Sequence, residues 1–214
     1  MIPESQIESC SSLEELNELV AKCTRCDLFK DAINPVPGDG NPEAEIVFIG
    51  EGPGKKEDEI GKPFVGAAGK LLKEMLEENG YKREDVFIAN VVKHRPPNNR
   101  DPLPNEVEAC FPYLKRQLQL INPKLIVFLG RHSLNRFFPD LKISEVHGKA
   151  FRKEIPWLGR KQVFMALFHP AAALYRGSMK ETLKADFAKL PKLIEKINND
   201  NNDSKSKKDQ PELF

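Results

Sequence analysis

Four short apolar runs separated by helical patterns constrain the fold of this chain more than any other feature of its sequence. The runs are Ile46 to Ile49, Val86 to Val92, Leu125 to Leu129 and Val163 to Phe168. Each is almost continuously hydrophobic, as is typical of a strand covered on both faces. Helical patterns span Ala67 to Asn79, Asn105 to Ile121, a shorter segment from Ser133, and Lys180 to Ile197 with a kink at Pro191. Strands alternating with helices predict an α/β fold, in which a parallel sheet carries helices on both faces.

The chain length predicts one domain followed by a polar tail. Its 214 residues lie within the usual range for a single domain. A capping box from Ser12 to Glu15 starts a first helix, which runs into Cys23. From Asn198 to Asp209 no residue is apolar, so this segment cannot bury enough surface to offset its ordering entropy. We therefore expect one domain over residues 1–197 and a disordered tail over residues 198–214.

Composition excludes several classes of protein. The chain has 33 Lys and Arg against 32 Asp and Glu, so no global charge favours a nucleic-acid or membrane partner and any basic surface must be local. Mean hydropathy is -0.49, and no apolar run approaches the ~18 residues of a membrane-spanning helix. The N-terminus lacks the pattern of a signal peptide, so we expect a cytoplasmic, reducing compartment.

In a parallel sheet of this kind, ligands bind outside the carboxyl ends of the strands, so the residues after each run are candidates for function. The first run is followed by Gly50-Glu51-Gly52-Pro53-Gly54. These glycines allow backbone amides to approach a ligand closely. The loop matches neither the Walker pattern nor the dinucleotide-binding pattern, and a tight strand-to-helix turn is the alternative interpretation.

Three side chains in or near these loops have the chemistry of a binding pocket. Asn90, at the end of the second run, offers donors and an acceptor that match a pyrimidine edge; alternatively it caps a loop. His169 is held extended by Pro170 and can donate to a developing anion; alternatively it is a structural histidine. Phe64, in a loop framed by glycine and proline, can stack on a planar ligand or pack under its own loop.

The segment after the second run is locally basic. Lys93, Arg95 and Arg100 are interleaved with prolines and asparagines, among them Asn99. Such a loop is suited to phosphate contacts, and an ordinary solvated loop is the alternative.

Cysteine spacing indicates a metal site. Cys23 and Cys26 have the spacing of paired thiolate ligands, and Cys110 is a third candidate. The fourth ligand is either His94 or Cys10. This spacing does not distinguish zinc from an iron-sulfur cluster, but thioredoxin-like redox chemistry is disfavoured because Cys23 follows a helix and precedes no strand pattern.

Taken together, these motifs resemble those of the family 4 uracil-DNA glycosylases, the iron-sulfur branch of that superfamily. The matching segments lie in order between about Leu13 and Lys196: Gly50 to Gly54 with Glu57 and Asp58, Gly61 to Gly66, Asn90 to Lys93, Arg95 to Arg100, and His169-Pro170. The resemblance implies a three-layer α/β/α sandwich around a four-stranded parallel sheet. It also implies a 4Fe-4S cluster near the DNA-binding face.

One position departs from the pattern of that family. Its cluster ligands are usually four cysteines, and His94 stands where the third is expected. Either His94 ligates the cluster through a ring nitrogen, as in a related branch that traps uracil covalently, or the cluster is altered or absent. The trapping branch carries a basic, histidine-containing insertion between the equivalents of His94 and Cys110, and this chain has none. Catalytic turnover is therefore favoured over trapping.

The resemblance also implies a role for each candidate in the removal of uracil from DNA by a monomeric base excision repair enzyme. Asn90 reads the uracil edge, Phe64 stacks on the base, and His169 donates to the uracil oxygen that gains charge. Glu51 and Gly52 line the pocket, and Glu57 is the candidate for orienting the attacking water. The expected phosphate contacts are Lys93, Arg95, Asn99 and Arg100, and the expected cluster ligands are Cys23, Cys26, His94 and Cys110.

Two other classes of protein are alternatives to a glycosylase, and the C-terminus indicates one candidate protein partner. A non-catalytic iron-sulfur DNA-binding protein or an electron-transfer protein would keep the cysteines, but neither needs Asn90, Phe64 and His169 together. The last residues, Gln210 to Phe214, resemble a shortened peptide that binds a DNA sliding clamp, and a frayed C-terminus is the alternative.

Overall fold

The computed structural model describes residues 2–206, with side chains over residues 2–200. The six strands are β1 (Asp39–Gly40), β2 (Ile46–Gly50), β3 (Phe87–Asn90), β4 (Leu125–Leu129), β5 (Ala150–Ile155) and β6 (Arg160–Leu167). The first five helices are α1 (Glu4–Ser9), α2 (Leu13–Ala21), α3 (Lys55–Ile60), α4 (Ala67–Glu78) and α5 (Pro104–Ile121). The remaining helices are α6 (Arg131–Phe137), α7 (Ile143–Val146), α8 (Pro170–Ala173), α9 (Gly177–Phe187) and α10 (Leu190–Ser206).

All six strands form one sheet in the order β1-β3-β2-β4-β6-β5. The inner four strands are parallel, and they are the four apolar runs of the sequence. Both outer strands are antiparallel to their neighbours. The four predicted parallel strands form the centre of the sheet, and the total of six exceeds the predicted count because an antiparallel strand is added at each edge. β1 is too short to give a pattern, and β5 carries Arg152, Lys153 and Glu154, the charges that commonly protect an edge strand from pairing with another chain.

Apolar side chains cover both faces of this sheet. Ile49 of β2 belongs to a core shared with α1, α2 and α5. Its neighbour Phe48 points to the opposite face and joins a second core shared with α4, α9 and α10. Helices thus pack on both faces, which confirms the predicted three-layer α/β/α sandwich.

The C-terminal helical pattern is divided between α9 and α10. Pro191 lacks a backbone N–H, and its ring clashes with a helical carbonyl four residues earlier, so α9 ends at Phe187. α10 continues through Ser206, beyond the predicted domain boundary at residue 197. Lys124 Nζ lies 2.6 Å from Asn198 Oδ1, and Arg152 Nη2 lies 3.2 Å from Asp200 Oδ2, so both side chains are held against the domain. The predicted clamp-binding segment, Gln210 to Phe214, lies outside the described residues.

Within the described part of the chain, none of the helices has the length and apolar character needed to cross a membrane.

Candidate active site

A cavity of about 330 Å³ opens at the carboxyl ends of the parallel strands. Parallel pairing places Gly50 of β2 opposite Asn90 of β3, so the loops that follow these strands converge. His169 enters from the loop after β6. Most of the predicted site residues line this cavity: Glu51, Gly52, Glu57, Phe64, Asn90, Asn99, Arg100 and His169.

Asn90 presents an unsatisfied amide to this cavity. The residue is only 2% exposed, and its Oδ1 atom has no hydrogen-bond partner among the described residues. Gly50 makes this placement possible, because a Cβ at position 50 would overlap Asn90 Oδ1 and would lie 2.8 Å from the Phe64 ring. A buried amide oxygen without a partner is costly, so its presence at a cavity indicates that a ligand donates to it.

Phe64 is held in a strained backbone conformation. Its φ of 54° lies in the left-handed region, which is rare for a bulky residue and typical of functional sites. The backbone amides of Val65 and Gly66 donate to Glu57 Oε1 at 2.9 and 2.8 Å, which anchors the loop. Gly69 of α4 lies so close that a Cβ there would overlap the Phe64 carbonyl. The Phe64 ring therefore has a fixed position, 5.6 Å from the His169 ring centroid to centroid.

His169 is a neutral donor in this geometry. Its Nδ1 accepts a hydrogen bond from the Ala171 amide at 3.1 Å, so in the neutral ring the proton is on Nε2. Burial lowers the pKa of His169 to about 4, against an opposing effect of Glu57. The imidazole therefore donates from Nε2 at neutral pH without carrying a charge.

Glu51 forms a cluster with two residues that the sequence did not indicate. Its Oε2 lies 3.6 Å from His132 Nε2, which lies 3.4 Å from Asp101 Oδ2. Burial, and then the Asp101 carboxylate, raise the pKa of Glu51 to about 7, while Arg131 opposes them. His132 follows the end of β4, so the rule that pointed to the other strand ends also applied to it.

The predicted basic loop is only partly available to DNA. Lys93 is 1% exposed, which contradicts its predicted phosphate contact because an ammonium buried in the core cannot reach DNA. Arg95 Nε donates to Asn99 Oδ1 at 2.7 Å. Arg100 forms a bidentate pair with Glu106 at 2.8 and 2.6 Å. Arg95, Asn99 and Arg100 therefore lie at or near the rim of the cavity with their positions fixed.

Three of the predicted cluster ligands lie together beside this loop. Cys23 and Cys110 are buried, Cys26 is half-buried, and all are free thiols. Arg25 lies between Cys23 and Cys26, and its Nε donates to the carbonyl of Ala109 at 2.9 Å. The turn from Cys23 to Cys26 therefore packs beside Cys110. Burial raises the pKa of Cys110 to about 12, with Lys93 opposing it and Cys23 and Cys26 adding to it.

The two candidates for the fourth ligand, His94 and Cys10, have different surroundings. His94 is buried and directly follows Lys93, whose backbone amide donates to Cys110 Sγ at 3.2 Å. Cys10 instead donates to Gln6 in α1, and the charges that act on it are Glu15 and Arg116. His94 is thus one residue from a contact with Cys110, although the charge that acts on it is that of Asp58, whereas the contacts of Cys10 are to α1.

The donor set fits a cluster better than a single metal ion. Tetrahedral zinc with Zn–S bonds of ~2.3 Å would hold its sulfur ligands about 4 Å apart. Among the described residues, no three ligand atoms of these cysteines and His94 come within 4.8 Å of one another. Thiolates with an imidazole are suitable ligands for iron-sulfur chemistry, in which the irons are distributed over a larger unit.

Together, the fold and the site define an α/β protein whose pocket of about 330 Å³ lies at the carboxyl ends of the parallel strands. The chain belongs to the uracil DNA glycosylase superfamily, whose family model matches residues 37–200. It is 51% identical over 190 residues to a Type-4 uracil-DNA glycosylase of Archaeoglobus fulgidus, covering 86% of this chain and 94% of that protein. A Type-4 uracil-DNA glycosylase of Thermotoga maritima is 46% identical over 186 residues, covering 86% and 95%. The chain is also 34% identical over 115 residues to a Type-5 uracil-DNA glycosylase of Thermus thermophilus, covering 47% of this chain and 52% of that protein.

Proposed function

We propose that this protein hydrolyses the N-glycosidic bond of uracil in DNA and leaves an abasic site. The observation that carries the proposal is the unpaired, buried amide oxygen of Asn90 at a pocket lined by Phe64 and His169. A non-catalytic DNA-binding or electron-transfer protein would have no use for such an amide. Membership of the uracil DNA glycosylase superfamily supports the same reaction.

Asn90 provides the selection of uracil. Uracil presents an N3–H donor and an O4 acceptor, which pair with Asn90 Oδ1 and Nδ2. Cytosine presents an unprotonated N3 and an amino group, so both contacts would be mismatched. The target base must first leave the duplex, at a cost of a few kcal/mol, and stacking on Phe64 returns about 1 to 3 kcal/mol.

His169 stabilises the leaving group. As the bond from C1′ to N1 breaks, its electron pair moves onto the uracil ring and charge develops at O2. Nε2–H of the neutral His169 donates to that oxygen. Loss of one donor of this kind typically costs about 10²- to 10³-fold in rate.

Glu51 is the better candidate to activate water. Glu57 Oε1 already accepts two backbone amides, so that carboxylate positions the Phe64 loop. Glu51 also lines the cavity, and a pKa of about 7 leaves a substantial fraction ionised at neutral pH. The water oxygen forms the new bond to C1′, and its proton goes to the Glu51 carboxylate.

DNA contacts would come from the cavity rim and from the loop after His169. Arg95, Asn99 and Arg100 occupy one side. Leu174 and Tyr175, which follow α8 in the chain, are 41% and 89% exposed although they are large and apolar. Apolar side chains next to a flipped-base pocket can fill the space that the base leaves in the stack.

Cys23, Cys26, His94 and Cys110 would hold a 4Fe-4S cluster. When bound, it would supply a cross-link between the N-terminal segment, α5 and the loop after β3, since uracil hydrolysis transfers no electrons. Because His94 directly precedes Arg95, ligation of His94 would also hold the start of the loop that carries Arg95 and Arg100.

The test is release of free uracil from a single-uracil oligonucleotide, followed by alkaline strand scission at the abasic site. Matched oligonucleotides with cytosine or thymine at the same position should remain intact. A covalent protein–DNA product without free uracil would support trapping, and no product at all would refute the proposal.

A further inference from the structure

Lys93 is a buried cation that has no carboxylate partner among the described residues. Its ammonium donates to the Asn90 carbonyl at 2.9 Å and to Gln117 Oε1 at 2.7 Å. Both are neutral acceptors. A fully buried charge with only neutral partners is strongly disfavoured unless another charge compensates it.

The titratable group that acts on the Lys93 ammonium is the Cys110 thiol. The Lys93 backbone amide donates to Cys110 Sγ at 3.2 Å, and the charge of Lys93 acts on the Cys110 thiol. Cysteines that ligate a metal do so as thiolates. Lys93 therefore lies where it would balance the negative charge of ligated cysteines.

The same side chain also reaches the uracil-reading residue. Asn90 ends β3, and its carbonyl has turned toward the Lys93 ammonium while its side chain faces the pocket. The network continues from Gln117 Nε2 to the Pro37 carbonyl at 2.7 Å and from the Val36 amide to the Lys93 carbonyl at 2.7 Å. Lys93 thus joins α5, the segment before β1 and the end of β3.

We infer that Lys93 is a positioning residue that couples the cysteine cluster to uracil recognition: its ammonium balances the ligated thiolates and holds the Asn90 backbone in place. The inference has two parts. The uracil arm, in which Lys93 holds Asn90 in place, rests on the proposed function. The charge arm, in which the Lys93 ammonium balances the ligated thiolates, can be tested without any substrate.

The main variant is Lys93→Met, which keeps the length of the side chain and removes the charge and both hydrogen bonds. Gln117→Met is the matched control, because it removes the other partner and leaves the ammonium and its contact to Asn90. We expect Lys93→Met to weaken inhibition by free uracil and to slow single-turnover excision by about 10-fold or more, the effect of losing a hydrogen bond to a charged group. Affinity for uracil-free DNA should not change.

A double-mutant cycle separates positioning from general damage. If Lys93 acts through Asn90, Lys93→Met should have little further effect in an Asn90→Ala background. Additive losses, or equal losses in Gln117→Met, would overturn the uracil arm.

The charge arm is measured on the cluster itself. Removing a nearby positive charge disfavours the reduced cluster, so Lys93→Met should have a more negative reduction potential and lose iron faster to a chelator. Gln117→Glu adds a negative charge next to Lys93, so it should shift the potential in the same direction, and it is the variant to use if Lys93→Met does not fold. An unchanged potential in the variants that fold would refute this arm. A wild-type protein that binds iron but releases no uracil would refute the proposed function alone.

Discussion

Replacing Glu51 with glutamine should stabilise the fold while it abolishes excision. Glu51 has a folded-state pKa of about 7 instead of an ordinary value of 4.5, because burial and Asp101 disfavour its charge. Below pH 4.5 the carboxyl is protonated in both folded and unfolded chains, so it costs no stability. Between pH 4.5 and 7 the unfolded chain ionises this carboxyl while the folded protein keeps it protonated, so the stability present at low pH is lost over this range, and the loss is complete once the pH passes 7.

The difference between these pKa values corresponds to at most about 3 kcal/mol at 1.36 kcal/mol per pKa unit. Because the Glu51 side chain is 28% exposed, solvent screening reduces this value and about 2 kcal/mol is the expected gain. For a domain of this size, that gain raises the melting temperature by roughly 4 to 8 °C. The gain of Glu51→Gln should be absent well below pH 4.5 and complete above pH 7.

The assay is thermal unfolding of both proteins under anaerobic conditions across this pH range, together with single-turnover excision. Glu108→Gln, on the exposed face of α5, is the matched control and should change neither property. Wild-type excision should increase with pH to a plateau, with a midpoint near pH 7, as Glu51 becomes able to accept a proton. Asp101→Asn should move that midpoint to lower pH because it removes a negative neighbour. A pH-independent stability difference, or wild-type rates in Glu51→Gln, would refute this reasoning.

Three further predictions follow from the site. His169→Ala should slow single-turnover excision by at least ~10²-fold without changing the affinity for uracil-free DNA, because only the leaving-group donor is lost; unchanged rates would remove His169 from the mechanism. Gly50→Ala should reduce excision by about 10²-fold, since its Cβ would displace the Asn90 amide and the Phe64 ring, and wild-type uracil inhibition in this variant would contradict the packing argument. His94→Ala should lower the iron content of the purified protein and Cys10→Ala should not; the reverse pattern would reassign the fourth ligand.

Periodicity predicted the inner architecture because burial on both faces leaves a strong sequence signal. The run Leu125 to Leu129 coincides with β4 at both ends. No comparable signal marks β5, where exposed charges protect an edge, or α3, where the acidic Glu57 and Asp58 follow Lys55 and Lys56. Edge strands and short helices depend on tertiary contacts, which a local pattern does not record.

The site was predictable where a residue type and its place at a strand end agreed. Asn90 and His169 satisfied both conditions, and the structure brings them to one cavity. Lys93 was misassigned because a lysine in a loop rich in arginine is usually solvated, and nothing local shows that its side chain turns into the core. His132 had the strand-end signal, but its importance, like that of Asp101, lies in its distance to Glu51, which depends on how α6 and the loop before α5 pack.

The site contains several features that disfavour the folded state of the empty protein. Phe64 has a left-handed backbone, Asn90 has an unpaired oxygen, Glu51 has a buried carboxyl and Lys93 has a buried charge. Under the proposed function, three of the four would each be relieved by a different event: uracil would satisfy Asn90, proton uptake would neutralise Glu51, and ligated thiolates would balance Lys93. Because the two apolar cores on either side of the sheet hold these groups in place beforehand, binding need not reorganise them, and interactions that the empty protein lacks become available to the bound base.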